Sequence, residues 1–212
     1  MTASTKPRGR LVVISAPSGA GKTSLVRELV HSHPDICFGV SCTTRQKREG
    51  EEGGRDYQFI SRQEFDRMVV AGEFLEHAQV FDNFYGTPRD QVNTQLDKGK
   101  HVILEIDWQG ARQVRGAEPS CVSIFIMPPS RSELENRLRQ RATDSDDVIA
   151  RRLQDAVNEM SHWEEFDYLV VNDNFGEALQ EVLAIIRGGG ERSRSNRAEI
   201  RPLITGLLAR DS

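Results

Sequence analysis

Short runs of consecutive apolar residues recur along the chain and alternate with stretches whose apolar positions repeat at helical spacing. The first run is Leu11-Val12-Val13-Ile14, and others lie at 102–104, 121–126 and 168–171. A run with no polar alternation suits a strand covered on both faces, so these four predict strands of a parallel sheet. Helical signals fall between them. Leu25, Val26 and Leu29 follow the first run, Ser61-x-x-Glu64 caps a helix carrying Phe65, Met68 and Val69, and Ser132-x-x-Glu135 caps another beside Leu134 and Leu138. Ile149, Leu153, Ala156, Val157 and Met160 form one stripe, which predicts a long amphipathic helix over 146–165. Strands alternating with helices in this way predict an α/β fold with a central parallel sheet flanked by helices.

Two stretches break that rhythm and read as insertions. Residues 39–86 are rich in Gly, Arg, Glu and aromatics, and 131–152 carry arginines at 131, 137, 139, 141, 151 and 152. Insertions at the ends of parallel strands are where such folds build ligand sites. The end of the chain has Gly188-Gly189-Gly190 followed by Arg192, Arg194, Arg197 and Arg201, a pattern that reads as a solvated tail after a flexible break, with a helix closing the core or a subunit contact as the alternatives.

Composition narrows the function classes. Hydrophobic residues make up 37% and charged residues 28%, and no apolar stretch approaches the roughly 18 residues of a membrane helix, so no membrane is expected as a partner. Charge is almost balanced, 28 Lys+Arg against 32 Asp+Glu, which argues against nucleic acid and makes any anion binding local. Cys37, Cys42 and Cys121 lack metal or disulfide spacing, and a cytoplasmic protein is the reading that fits. Residues 1–8 contain no apolar segment and read as a disordered leader.

The chemistry starts directly after the first strand, at Ala16-Pro17-Ser18-Gly19-Ala20-Gly21-Lys22-Thr23. Glycines at 19 and 21 let backbone N–H groups converge on phosphate oxygens, Lys22 can reach the β/γ oxygens, and the Thr23 hydroxyl can ligate Mg²⁺. The helix that follows adds partial positive charge at its N-terminus. Ala16 stands where this loop motif usually begins with glycine, which requires ordinary strand-end dihedrals there.

Beyond the loop, Ser41-Cys42-Thr43-Thr44-Arg45-Gln46-Lys47-Arg48-Glu49-Gly50-Glu51, Asp56-Tyr57-Gln58-Phe59, Glu73-Phe74-Leu75-Glu76, Phe84-Tyr85-Gly86-Thr87, Ile106-Asp107-Trp108-Gln109-Gly110 and Val170-Val171-Asn172-Asp173 follow in order. Together with the loop they resemble the guanylate kinase family over about residues 9–208. The resemblance implies a P-loop kinase core (9–38, 87–130 and 153–208) with a GMP-binding insertion (39–86) and a lid insertion (131–152). It implies transfer of the γ-phosphoryl group of ATP to GMP, with Mg²⁺ held at Thr23. ATP would be held by residues 16–23 and Asn172, and GMP by Ser41, Arg45, Arg48, Tyr57, Glu76, Tyr85, Thr87 and Asp107. Lys22, Arg45, Arg137, Arg141 and Arg152 would be the catalytic cations. Glu105 stands where relatives commonly carry aspartate.

The residue chemistry agrees with these assignments. Guanine offers adjacent N1–H and N2–H₂ donors, which carboxylates such as Glu76 and Asp107 accept. Forked guanidiniums and phenols suit a phosphate. Arg137 and Arg141, four apart on one helix face, are a like-charge pair that costs about a few tenths of a kcal/mol without an anion to bridge it. Two other readings remain at this level: a P-loop kinase for a different monophosphate, and a non-catalytic guanylate-kinase-like binding module. A homo-oligomer is compatible with the sequence.

Overall fold

The structure, a computed structural model, describes residues 7–141 and 145–209, with the side chain of Arg141 outside the described set. Its first strand, β1 (Leu11–Ser15), is buried throughout and leads through the glycine loop into α1 (Lys22–Ser32). β2 (Ile36–Phe38) follows. The first insertion contains β3 (Cys42–Thr43), β4 (Gln58–Phe59), α2 (Arg62–Val70), β5 (Phe74–Val80) and β6 (Asn83–Pro88). The chain then returns through α3 (Arg89–Asp97), β7 (His101–Glu105), α4 (Trp108–Ala117) and β8 (Val122–Met127). α5 (Arg131–Arg141), α6 (Asp146–Met160), β9 (Tyr168–Val171), α7 (Phe175–Ile186) and α8 (Arg201–Leu208) complete it.

The central sheet runs β2-β7-β1-β8-β9, with every pair parallel. Alternation along β1 divides the core. Val12 and Ile14 pack with Leu25, Val26 and Leu29 of α1 and Val182, Ile185 and Ile186 of α7. Leu11 and Val13 face Val92, Ala111, Val114, Ala156 and Met160 of the helices on the opposite side. β1 is thus covered on both faces, and its C-terminal end opens into the crevice between β7 and β8, where α/β sheets bind ligands.

The insertion builds its own mixed sheet, β4-β3-β6-β5, in which β3 and β4 are parallel and β6 runs antiparallel to both neighbours. Ser61 caps α2 by accepting the Glu64 N–H at 3.1 Å, and Phe65 of that helix packs against Phe74 with ring centroids 4.8 Å apart. Paired hydrogen bonds between Gln113 of α4 and the His77 backbone, at 3.1 and 3.2 Å, tie this sheet to the core.

Several elements depart from the sequence expectation. α5 is capped by Ser130, not Ser132: the Ser130 Oγ accepts the Glu133 N–H at 3.1 Å, so the helix starts two residues earlier. The stripe over 146–165 does not form one helix. α6 ends at Met160, the Ser161 hydroxyl bonds back to Asn158 O at 2.7 Å, and a 3₁₀ turn at Trp163–Glu165 redirects the chain so that Trp163 and Phe166 are buried. His162 stacks on Trp108 at 3.5 Å in that turn. Of the expected leader, 1–6 lie outside the described residues, while Arg8 is held on α3 by Asp97 at 2.9 Å and Asn93 at 2.6 Å.

The arginine-rich end is not a solvated tail but takes the alternative form, a helix closing the core. Gly190, at φ +94, turns the chain where a Cβ would meet Ile185 Cγ1 at 2.4 Å. α8 then buries Ile204 and Leu207, with Ile200 before it, in the same cluster as Leu134, Leu138 and Met160. The segment closes the core against α5 and α6. Burial of three aliphatic side chains is worth about 5 kcal/mol. Deleting 191–212 should therefore lower the melting temperature by on the order of 10 °C. A scanning calorimetry trace with an unchanged midpoint would contradict this packing.

Candidate active site

The loop after β1 is shaped by its neighbours. Gly19 and Gly21 have φ of +92 and +91, whereas Ala16 is not among the described positive-φ residues, so its side chain costs nothing there. A Cβ on Gly19 would lie 2.9 Å from Leu134 Cδ1, and one on Gly21 2.3 Å from Asn172 Nδ2. α1 begins at Lys22 with no side-chain cap and no acid in its first turn, which leaves its first N–H groups and its dipole facing the loop. That is the backbone arrangement an anion requires.

Lys22 Nζ donates to Ile106 O at 3.3 Å, a carbonyl that also accepts Ser15 Oγ at 2.8 Å. Burial pushes the Lys22 ammonium below its ordinary pKa, while Glu105, Glu159 and Asp107 pull it upward. The Thr23 hydroxyl donates to Glu105. Asn172 is buried after β9, and its amide donates to Ala20 O at 2.8 Å, so it braces the loop. Arg137 of α5 pairs with Glu133 at 2.7 Å and donates to Asn172 O at 3.1 Å. Arg152 of α6 donates to Ser18 Oγ at 3.1 Å. The side chain of Arg141 lies outside the described residues.

The second group of candidates lies on the insertion. Glu76 on β5 is 7% exposed and accepts the Thr87 hydroxyl of β6 at 2.5 Å; Thr87 in turn is 3.2 Å from the Ser41 hydroxyl. Burial pushes the Glu76 carboxyl above its ordinary value, and Asp107 adds to that, against the Thr87 hydrogen bond. Asp107 caps α4, with Oδ1 accepting the Gly110 N–H at 2.8 Å, so this acid is fixed two residues after β7, where its charge is felt by both Lys22 and Glu76.

Arg45 is forked onto Glu51, at 2.7 and 3.1 Å, and its guanidinium lies 5.5 Å from the Tyr57 ring centroid. Tyr57 and Tyr85 meet edge to face at 5.9 Å, and burial raises the Tyr57 phenol above its ordinary pKa, which keeps it a donor. Arg48 is exposed and reaches this group through its backbone N–H, which donates to Glu51 at 2.8 Å. Glu51 and Glu159 are acids to which sequence reasoning assigned no role. Both hold groups that were assigned to phosphates.

A cavity of about 440 Å³ joins the two groups. Thr23, Glu105 and Ile106 line one end, and Ser41, Glu51, Tyr57 and Thr87 the other. The arrangement can hold two phosphorylated molecules end to end, one on a cationic glycine loop and one between an arginine fork and a buried carboxylate.

Comparison with known proteins gives a consistent result. A family model described as guanylate kinase matches residues 8–188. A guanylate kinase of Methylococcus capsulatus is 56% identical over 180 residues, covering 85% of this chain and 88% of that protein. One of Alkalilimnicola ehrlichii is 54% identical over 200 residues, 94% of this chain and 97% of the relative. Among solved structures, the crystal structure of guanylate kinase from Anaplasma phagocytophilum matches with a TM-score of 0.66 at 36% identity, covering 97% of this chain and 99% of that one.

Proposed function

Because the chain belongs to the guanylate kinase family, it is an ATP:GMP phosphotransferase, and we propose how its residues divide that work. The cavity that runs from Thr23 and Glu105, at the start of α1 just after the glycine loop, to Ser41, Tyr57 and Thr87 carries the reading. The loop, with Lys22, holds the donor's phosphates. Ser41, Glu76 and Thr87, with Asp107, accept and donate along the edge of guanine, where adenine would set its N1 acceptor against a carboxylate. Arg45, Arg48, Tyr57 and Tyr85 hold the acceptor phosphate.

Transfer then needs little chemistry from side chains. A GMP phosphate oxygen, already anionic, attacks the γ-phosphorus, the bond to the bridging oxygen breaks, and ADP leaves with that oxygen's electron pair. No proton has to be removed, so no general base is required. Catalysis rests on alignment and on fixed positive charge around the moving phosphoryl group. Lys22 supplies it from the loop, Arg45 from the acceptor side, and Arg137, Arg141 and Arg152 from the two lid helices. The 131–152 and 39–86 segments close over the substrates and keep water from the phosphoryl group.

Mg²⁺ fits the donors present. Thr23 Oγ1 and Glu105 are oxygen ligands joined at the loop mouth, suited to a hard cation that takes most of its ligands from phosphate and water. Among the described residues no group of three or more His, Cys, Asp or Glu could hold a metal by itself. Thr23 would hold the ion, with Glu105 beside it, and the ion would offset negative charge on the donor's phosphates. Neither described helices nor their sequences offer a span long and apolar enough to cross a membrane.

The direct test is to incubate the protein with GMP and ATP labelled in the γ-phosphate and to separate the products. Label in the β-phosphate of GDP is the expected result. Label in inorganic phosphate alone would contradict it.

A further inference from the structure

α6 touches the phosphate loop at one residue by two side chains. Arg152 reaches the Ser18 hydroxyl, and Glu159, about two helical turns later, accepts the Ser18 N–H through Oε2 at 3.1 Å. That N–H belongs to the loop assigned to the donor's phosphates. The carboxylate therefore stands where a phosphate oxygen finds a donor, and it lies close enough to Lys22 for the two charges to influence each other.

Lys22 faces three carboxylates here: Glu105, Asp107 and Glu159. Glu105 ends β7 and Asp107 caps α4, so each is held by the element it terminates. Glu159 comes from α6, whose first turns belong to the lid. A donor carrying several negative charges cannot share the Ser18 N–H with a carboxylate at hydrogen-bond distance, because the two anions repel each other strongly in a partly buried site. Of the three acids, Glu159 is the one that neither ends a strand nor caps a helix.

We propose that Glu159 competes with donor phosphate for the loop, its carboxylate holding the Ser18 N–H until that phosphate displaces it. Occupancy of the loop is thereby coupled to the position of α6, and Glu159 is a positioning residue that sets donor affinity. The inference rests on the reading of the loop as the donor site.

Two variants test it. Glu159→Gln keeps shape and an accepting oxygen but removes the charge; Glu159→Asp keeps the charge but retreats from Ser18. Binding of Mg²⁺-ADP and, separately, of GMP is measured by titration calorimetry, with steady-state KM values for both substrates. Removing one competing charge at a partly exposed site should tighten Mg²⁺-ADP binding to the Gln variant about threefold or more. The Asp variant should fall between it and the parent, with GMP binding unchanged in both and the KM for ATP, not that for GMP, reduced. Unchanged or weaker ADP binding would overturn the proposal, and if the Gln variant does not fold, the Asp variant decides in the same direction. A parent protein that bound no Mg²⁺-ADP would instead refute the assignment of the loop.

Discussion

Replacing Lys22 with Met is expected to reduce turnover at least about a thousandfold while leaving the melting temperature equal or higher. The two effects have one cause. The ammonium is buried, and burial pushes its pKa down despite three neighbouring carboxylates. A charge kept in such a place costs stability until a polyphosphate arrives to meet it. Methionine fills similar volume without that cost, and Ile106 O, which loses the Lys22 hydrogen bond at 3.3 Å, keeps the one from Ser15 at 2.8 Å. The sign for pH follows. A lysine whose folded pKa lies below its unfolded value weakens the fold below that folded pKa, and the loss disappears only above the unfolded value. Thermal unfolding and a coupled ADP assay on the same preparation check both halves. A variant that kept activity would refute the role given to Lys22, and one that lost stability would refute the account of its burial.

Glu76→Gln should lower kcat/KM for GMP roughly a hundred- to ten-thousand-fold with little change in the KM for ATP. The amide can turn an N–H₂ toward the guanine N–H groups, and two donors then face each other where a carboxylate accepted. The buried side chain itself is better tolerated as an amide. Burial raises the folded pKa of Glu76 above its unfolded value, so the cost of the charged form is absent below the unfolded pKa and grows as pH rises to the folded one. In the ligand-free protein this carboxylate therefore opposes folding above its folded pKa, and GMP affinity rises with pH through the same window. The Gln variant should lose both pH dependences and melt no lower than the parent. Equal losses in GMP and ATP parameters would point to a damaged fold.

The most legible parts of the chain were those whose signal is local. β1 and its loop announce themselves because an apolar run, glycines at fixed offsets and a helical stripe lie within about twenty residues of each other. Asp107, Glu76 and Thr87 could be proposed only through the family resemblance, because residues far apart in sequence meet across β5, β6 and the end of β7. The inserted sheet was not foreseen: β3 and β4 are two residues each, too short for alternation to appear. β2 was missed for the same reason at three residues. Ser130 and Ser132 both precede a glutamate by three positions, and the structure chooses the first, which sets the start of α5.

In the arginine-rich end the charged residues outnumber the five aliphatics that dock, Ile200, Leu203, Ile204, Leu207 and Leu208, and this favours the solvated reading over the core-closing helix. Glu159 left no trace at all, since its partner Ser18 is 141 residues away and contributes a backbone N–H that any residue type would supply. Glu51 lies close to Arg45 and was visible only as one more acid in a charged loop.

The most direct measurement supplies the purified chain with Mg²⁺-ATP and, in turn, GMP, AMP, CMP and UMP, and follows ADP formation. Fast turnover with GMP alone is the predicted result, because only guanine presents adjacent donors to the Ser41, Glu76 and Thr87 wall. Comparable turnover with AMP, or none with GMP from a folded protein that still binds nucleotide, would contradict the account.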